Sequence, residues 1–252
     1  MLAKERQRKI LQEIKSQSAI KVSQLGKLFS VSEMTIRRDL EKLNEQGLIE
    51  RVYGGVLSID GTAFEPTFLE KETVNMEEKR RIGRMAVSLI KEKDTVFFGP
   101  GTTVMQIVKN LGNKHITCLT NALNIAFELA KLPNVRLFVI GGELRSGSCA
   151  MIGPETEEYL QRFYVDKFFV GVNGLSVKHG ITIPNSCEAV VYRAMTKLSR
   201  ETIVVADHTK VENVSFVKIC DIDSVDKLIT DSGISEKYVH ELKEKEIKVI
   251  VV

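Results

Sequence analysis

Arg37 and Arg38 stand next to each other a few residues after Ser32 and Thr35, inside a stretch with helical spacing. An arginine on the outward face of a helix can donate two hydrogen bonds to a guanine edge or hold backbone phosphates, so the pair suits a nucleic-acid duplex. A second chemical signal is Gly99-Pro100-Gly101-Thr102-Thr103, which joins an apolar run to a helical pattern. It offers free backbone amides, two hydroxyls and the positive end of a helix dipole, the makings of a phosphate cradle. The lysine of the G-x-x-x-x-G-K-(S/T) loop is absent, and a plain strand-to-helix turn can have the same composition.

The elements that must position the arginines are legible. Ser32 is a good N-cap, because its hydroxyl can accept a hydrogen bond from a free first-turn amide, and helix is expected from Glu33. Ile36, Leu40 and Leu43 fall at i, i+4 and i+7, which buries one stripe and turns Met34, Arg37, Arg38 and Lys42 outward. Gly47 can take the left-handed conformation that ends a helix, and residues 48–56 read as two short strands around a turn, a wing. Upstream, Ile10, Leu11 and Ile14 mark a helix within residues 5–15, and Val22, Leu25, Leu28 and Phe29 mark another within 23–30. Only Val31 and Ser32 separate that helix from the next, a connection tight enough for a helix-turn-helix whose last helix enters the major groove. An ordinary three-helix bundle with solvated arginines would show the same stripes; the wing argues against it.

At 252 residues the chain accommodates a small domain plus a larger one. Its 43% hydrophobic and 27% charged residues are those of a soluble globular protein, with no apolar run of membrane-spanning length and no signal-peptide pattern, so the cytoplasm is expected. Cys118, Cys149, Cys187 and Cys220 are widely spaced without a C-x-x-C pair, which favours buried reduced thiols over disulfides or zinc. His115, His179, His208 and His240 show no ligand spacing, so neither a metal nor another cofactor is expected. Residues 1–56 carry 11 Lys and Arg against 7 Asp and Glu, a surplus of +4, while the rest carry 25 against 26. A basic head on a near-neutral body suits phosphate binding, and so small a surplus implies a head duplicated in a dimer or tetramer.

Residues 57–75, with Gly61, Pro66 and no sustained period, read as a linker, although Phe64, Phe68 and Leu69 could dock on a body. A helix follows from Met76 to about Lys91, and strands and helices then alternate, with strands near residues 95–99, 115–120, 135–140, 168–172, 202–206, 227–230 and 248–252. Strict alternation predicts an α/β domain with a mainly parallel sheet, which binds ligands at the carboxyl ends of its strands. Polar or glycine-rich loops fall at several of those ends: Thr120-Asn121, Gly141 to Arg145, Gly171 to Gly174, and Asp207 to Lys210.

The run VSEMTIRRDLEKLNEQGLIERVYGGV resembles the winged helix-turn-helix of the DeoR-type bacterial transcription regulators, matching V-S-x-x-T-(I/V)-R-R-D-L without a gap. The resemblance implies that Ser32, Thr35, Arg37 and Arg38 contact operator DNA and that Tyr53 and Gly54 sit on the wing near the backbone. The later loops resemble the sensor domain of the same regulators, similar in fold to ribose-5-phosphate isomerase. It implies that Gly99, Gly101, Thr102 and Thr103 grip the phosphate of a phosphorylated sugar, with Asn121, Arg145, Asn173, Glu188, Asp207 and Lys210 lining the rest of the pocket. Many relatives have Asp-Ser-Gly-Thr-Thr where this chain has Gly99-Pro100-Gly101-Thr102-Thr103, so a carboxylate able to bind a sugar hydroxyl is missing.

An isomerase-like enzyme is the alternative from another class, since moving a proton between adjacent carbons needs a base. The isomerases resembled place a D-G-A-D-E motif where this chain has Val170-Gly171-Val172-Asn173-Gly174, and both aspartates are gone. Glu188 remains as a possible base but reads as an exposed loop carboxylate, and His208 as a polar loop residue. The expectation is a pocket that binds without turnover, in a ligand-responsive repressor of a carbohydrate operon; a C-terminal domain that only oligomerises is a third reading.

Overall fold

Isoleucines four apart start the fold. In the computed structural model, which describes residues 3–17, 19–45, 49–52, 55–58 and 65–252, Ile10 and Ile14 are wholly buried on α1 (Ala3–Gln17). The chain then forms β1 (Ala19–Lys21), α2 (Val22–Leu28), α3 (Glu33–Glu45), β2 (Ile49–Val52) and β3 (Gly55–Ser58). Ser32 caps α3 as expected, its Oγ accepting from the Thr35 amide at 3.2 Å. Ile36, Leu40 and Leu43 join Ile10, Ile14, Ile20, Leu25 and Ile49 in one small core.

Two expectations change here. The wing is part of a three-stranded antiparallel sheet in the order β1-β3-β2, because Ile20 pairs with Val56 from the other side. Leu28 is 54% exposed: α2 ends at that residue, and Phe29 and Val31 pack on the core in its place. Gly47, Gly61 and Phe64 lie outside the described residues.

Contacts divide the chain into Met1–Phe64 and Glu65–Val252. The second unit opens with α4 (Phe68–Glu72), where the sequence suggested linker; Thr67 and Glu70 cap it reciprocally, Phe68 is buried and Leu69 is exposed. It continues through α5 (Met76–Ser88), β4 (Thr95–Phe98), α6 (Thr102–Lys109), β5 (Ile116–Thr120), α7 (Leu123–Leu129) and β6 (Val135–Val139). A hairpin of β7 (Glu143–Arg145) and β8 (Ala150–Ile152) leads into α8 (Pro154–Leu160). Then come β9 (Lys167–Val170), β10 (Gly174–Ser176), β11 (Gly180–Ile183), α9 (Ser186–Leu198), β12 (Thr202–Val205), β13 (Val217–Cys220), β14 (Lys227–Thr230), α10 (Glu236–Glu244) and β15 (Lys248–Val251).

Seven strands form a parallel sheet in the order β15-β14-β12-β9-β4-β5-β6, with β10-β11-β13 as a separate antiparallel sheet. Both central strands are buried on both faces: Phe97 meets Phe168 edge-on at 5.5 Å between centroids, and Phe98 stacks on Phe169 at 5.7 Å. The first pair packs toward α9 and the small sheet, the second toward α5, α6 and α7. Gly83 lets α5 close on α6, since a Cβ there would lie 2.7 Å from the Gln106 backbone. The order reverses between β4 and β9: the chain steps from β4 outward to β6, then from β9 outward the other way to β15. That switch point lies at the carboxyl ends of β4 and β9, the position where open α/β sheets bind their ligands. No helix of the described residues is long and apolar enough to cross a membrane.

Candidate functional site

In the first unit the polar side of α3 is presented as its spacing predicts. Ser32 Oγ lies 2.9 Å from Thr35 Oγ1, so both hydroxyls sit at the first turn, followed by the exposed Arg37 and Arg38. Arg37 is 3.7 Å from Glu33, a weak exposed i,i+4 pair. Arg38 makes no ion pair among the described residues and shares a groove with Arg6, Thr35 and Lys42. Beneath it, buried Asp39 accepts from Arg6 Nε at 2.6 Å and Gln7 Nε2 at 2.8 Å, which fixes α1 against α3. Sequence reasoning missed this clamp, because partners more than thirty residues apart leave no local pattern. Tyr53 and Gly54 lie outside the described residues.

In the second unit the glycine loop occupies the switch point. A Cβ at Gly99 would touch Phe168, Phe169 and Tyr192 at 3.4 Å, and Gly101 has φ +146° with its Cβ position 3.9 Å from the Gly171 Cα. The two backbones run close together here, and the positive φ of Gly101 is one that side chains rarely adopt. No side chain caps α6, so its first amides are free, and the hydroxyls of buried Thr102 and Thr103 make no hydrogen bond within the protein among the described residues. Tyr192 OH donates to Pro100 O at 3.3 Å and braces the loop; burial pushes that phenol well above its ordinary range.

Neighbouring strand ends bring the other predicted residues alongside. Asn121, at the end of β5, has no exposure: its Nδ2 donates to Met151 O at 2.8 Å and its Oδ1 is buried without a partner. Asn173, after β9, is tied through its backbone to Thr182 and Asn213, and its side chain makes no hydrogen bond among the described residues. Asp207, after β12, accepts from Asn75 Nδ2 at 3.1 Å and from the Thr209 hydroxyl. Burial raises the Asp207 carboxyl, but Lys210, Thr209, Asn75 and Lys79 together hold it below the ordinary carboxylate range. His208 is anchored instead to Asp231, 2.8 Å from its Nδ1.

Glu188 corrects the sequence reading most sharply. It is 5% exposed, on the first turn of α9 behind the Asn185 cap, and is neither exposed nor in a loop. Arg145 Nη1 donates to Glu188 Oε1 at 2.8 Å and to Glu65 Oε2 at 2.7 Å, and Ser148 Oγ donates to Glu188 at 2.5 Å. Burial works against the Arg145 charge, and Glu65 and Glu188 more than offset it. Lys71 Nζ reaches Glu65 Oε1 at 3.0 Å, and buried Lys79 donates to the Lys71 carbonyl at 2.6 Å. Glu65, Lys71, Asn75, Lys79 and Ser148 were all missed; the Arg145–Glu65 pair spans 80 residues of sequence, and nothing local announces it. The thiols also differ from expectation: all four are free, but Cys118 alone is fully buried and Cys187 is exposed.

A groove-sized basic helix face and a ring of polar strand ends are thus the two candidate sites. Residues 6–62 match the family described as the DeoR-like helix-turn-helix domain, and residues 74–232 the DeoR C terminal sensor domain. The chain is similar to the HTH-type transcriptional regulator YulB of Bacillus subtilis, 36% identical over all of this chain and 98% of that one. It is also similar to the HTH-type transcriptional repressor GlcR of the same organism, 36% identical over 92% of this chain and 89% of that one. Among solved structures, ribose 5-phosphate isomerase A of Methanocaldococcus jannaschii aligns over 54% of this chain and 55% of its own, at 16% identity and a TM-score of 0.41. The matches to both domains and the identity over the whole length place the chain in the DeoR family: it is a DNA-binding transcriptional regulator and not an enzyme.

Proposed function

We propose that the protein represses a carbohydrate uptake or catabolic operon in the cytoplasm and that a phosphorylated sugar, bound in its sensor domain, weakens its hold on the operator. The observation that carries the ligand class is the uncapped start of α6 at the switch point, with the Thr102 and Thr103 hydroxyls unengaged. Gly99, Gly101, Thr102 and Thr103 take the phosphate; Asn173, Asp207 and Lys210 face the sugar hydroxyls, with Arg145 and Glu188 beside them and the fully buried Asn121 behind. On the DNA side Ser32, Thr35, Arg37 and Arg38 meet the groove, and Tyr53 and Gly54 meet the DNA backbone, in a homodimer or homotetramer that pairs two heads. The names of relatives as repressors support the sign of regulation. Ligand binding shifts the population toward an arrangement that misplaces the heads relative to their half-sites.

A thermal-shift screen with sugar phosphates tests the sensor. A ligand at 100 times its dissociation constant stabilises by about 2.7 kcal/mol, and each kcal/mol moves the melting point of a domain this size by about 2–4 °C. No shift with any sugar phosphate would favour a domain that only oligomerises.

A pH dependence follows from Lys79. Burial pushes its pKa from the usual 10.5 down to about 8; Asp207 and Glu72 oppose the shift, and Lys210 and Lys71 reinforce it. The folded-state pKa lies below the unfolded one, so charged Lys79 destabilises the fold below pH 8, and the stability from this group rises between pH 8 and 10.5. Lys79 senses the charges of Asp207 and Lys210, so a dianion held beside them is favoured by the charged form, and its affinity is expected to fall as the pH rises past about 8. Calorimetry from pH 6.5 to about 9.5 is expected to show weakening above pH 8 in the wild type and a flatter profile in Lys79→Gln.

A further inference from the structure

Glu65 is held between two cations of its own chain. Its side chain is 8% exposed, and its carboxylate is shared between Arg145 Nη1 at 2.7 Å and Lys71 Nζ at 3.0 Å. Arg145 satisfies Glu65, Glu188 and Ser148 through Nη1 alone; among the described residues its Nε and Nη2 make no hydrogen bond within the protein. A guanidinium has five donors in a planar fork that matches a phosphate with two parallel bonds, so this fork has donors to spare. Its side chain keeps 27% exposure, enough for a ligand atom to approach.

Glu65 begins a strap, residues 65–75, whose ties run to the sensor's own polar groups. Besides Glu65 on Arg145, Phe68 N donates to Gly147 O at 2.7 Å, the Lys71 carbonyl accepts from Lys79, and Asn75 donates to Asp207. In sequence the strap follows directly on residues 59–64, which lead from the winged head.

We propose that Glu65 is a built-in competitor for the effector: it fills an anion subsite formed by Arg145 and Lys71, and a phosphate held jointly by the α6 loop and the spare donors of the Arg145 fork displaces it and frees the strap. The inference rests on the phosphosugar reading above and adds how that site is regulated. Charge sets the selectivity. Arg145 and Lys71 are balanced by Glu65 and Glu188, so a neutral sugar or a monocarboxylate gains nothing by exchange, whereas a phosphate dianion replaces one negative charge with two. Glu188 keeps its bond to Arg145, and the released Glu65 carboxylate is hydrated.

The test is calorimetry of the 252-residue chain with inorganic phosphate and with glucose 6-phosphate, together with hydrogen exchange of amides 65–75. A hydrogen bond to a charged group contributes about 1.5–3 kcal/mol, so removing the competitor in Glu65→Gln is expected to tighten both anions about tenfold or more. In the wild type, saturating glucose 6-phosphate is expected to speed exchange in the strap, and in Glu65→Gln exchange is fast without ligand. Should Glu65→Gln fail to fold, Glu65→Asp keeps the charge but shortens its reach, and a smaller tightening is expected. Equal or weaker anion binding in the folded variants, with the wild type still binding glucose 6-phosphate, overturns the competitor and leaves the sensor intact. Binding of neither anion by any of these proteins removes the phosphosugar reading and this inference with it.

Discussion

Arg38→Ala is expected to abolish operator binding while the sensor keeps its affinity for sugar phosphate, and Thr102→Ala to do the reverse. Arg38 is exposed, without an ion pair among the described residues, on the helix that Ser32 caps, whereas Arg37 is partly engaged by Glu33. A bidentate arginine–base pair is worth about 1–3 kcal/mol, so losing it from both heads of a dimer costs roughly 2–6 kcal/mol, a weakening of about thirtyfold or more. Folding is expected to change by no more than about 0.5 kcal/mol, since the side chain is on the surface. Thr102 offers a hydroxyl to a charged phosphate, and its loss weakens the effector by about 1.5–3 kcal/mol. Mobility shift and calorimetry on both variants separate the two effects. Normal operator binding by Arg38→Ala would remove α3 from the groove.

Arg145→Ala is expected to be the more damaging change to the fold. It strips one cation from two buried carboxylates, Glu65 and Glu188, leaving Glu188 with Ser148 and Glu65 with Lys71. Breaking a buried pair by deleting one partner costs about 3–5 kcal/mol, and the 27% exposure of Arg145 sets the expectation at the lower end. At about 2–4 °C per kcal/mol the melting point falls by roughly 6–12 °C. Arg145→Lys keeps the charge but loses the planar fork, and is expected to recover most of the stability and little of the anion affinity. A melting point within 2 °C of wild type for Arg145→Ala, on the same about 2–4 °C scale, would show that the cluster is solvated and carries no load.

What the sequence revealed, and what it hid, follows from where the stabilising contacts lie. The helix from Glu33 was legible because its cap and its stripe of Ile36, Leu40 and Leu43 are local signals. The parallel strands were legible because each is an apolar run followed by a helix, and the observed ends fall within a residue or two of those expected. The three- and four-residue strands β1, β7, β8, β10 and β11 were not, since pairing with distant chain sets them and they are too short to show a period. Gly99 to Thr103 announced itself by composition, and the pairing of β4 with β9 at the reversal of strand order then explains why that loop and Gly171 are neighbours. Glu188 was misread because α9, unassigned from the sequence, buries it against Arg145. The strap was read as linker for the same reason: Glu65, Lys71 and Asn75 are held by partners that only the fold supplies.

Ligand and operator are expected to be coupled through one chain, and an operator titration reads that coupling. The wild-type protein is bound to DNA from upstream of its own gene, and a sugar phosphate that raises its melting point is added in steps. Allosteric couplings of about 1–3 kcal/mol correspond to changes of about 5- to 150-fold, and operator affinity is expected to weaken within that range at saturation. A sugar phosphate that binds the sensor equally well with and without operator, and leaves operator affinity unchanged, would contradict it.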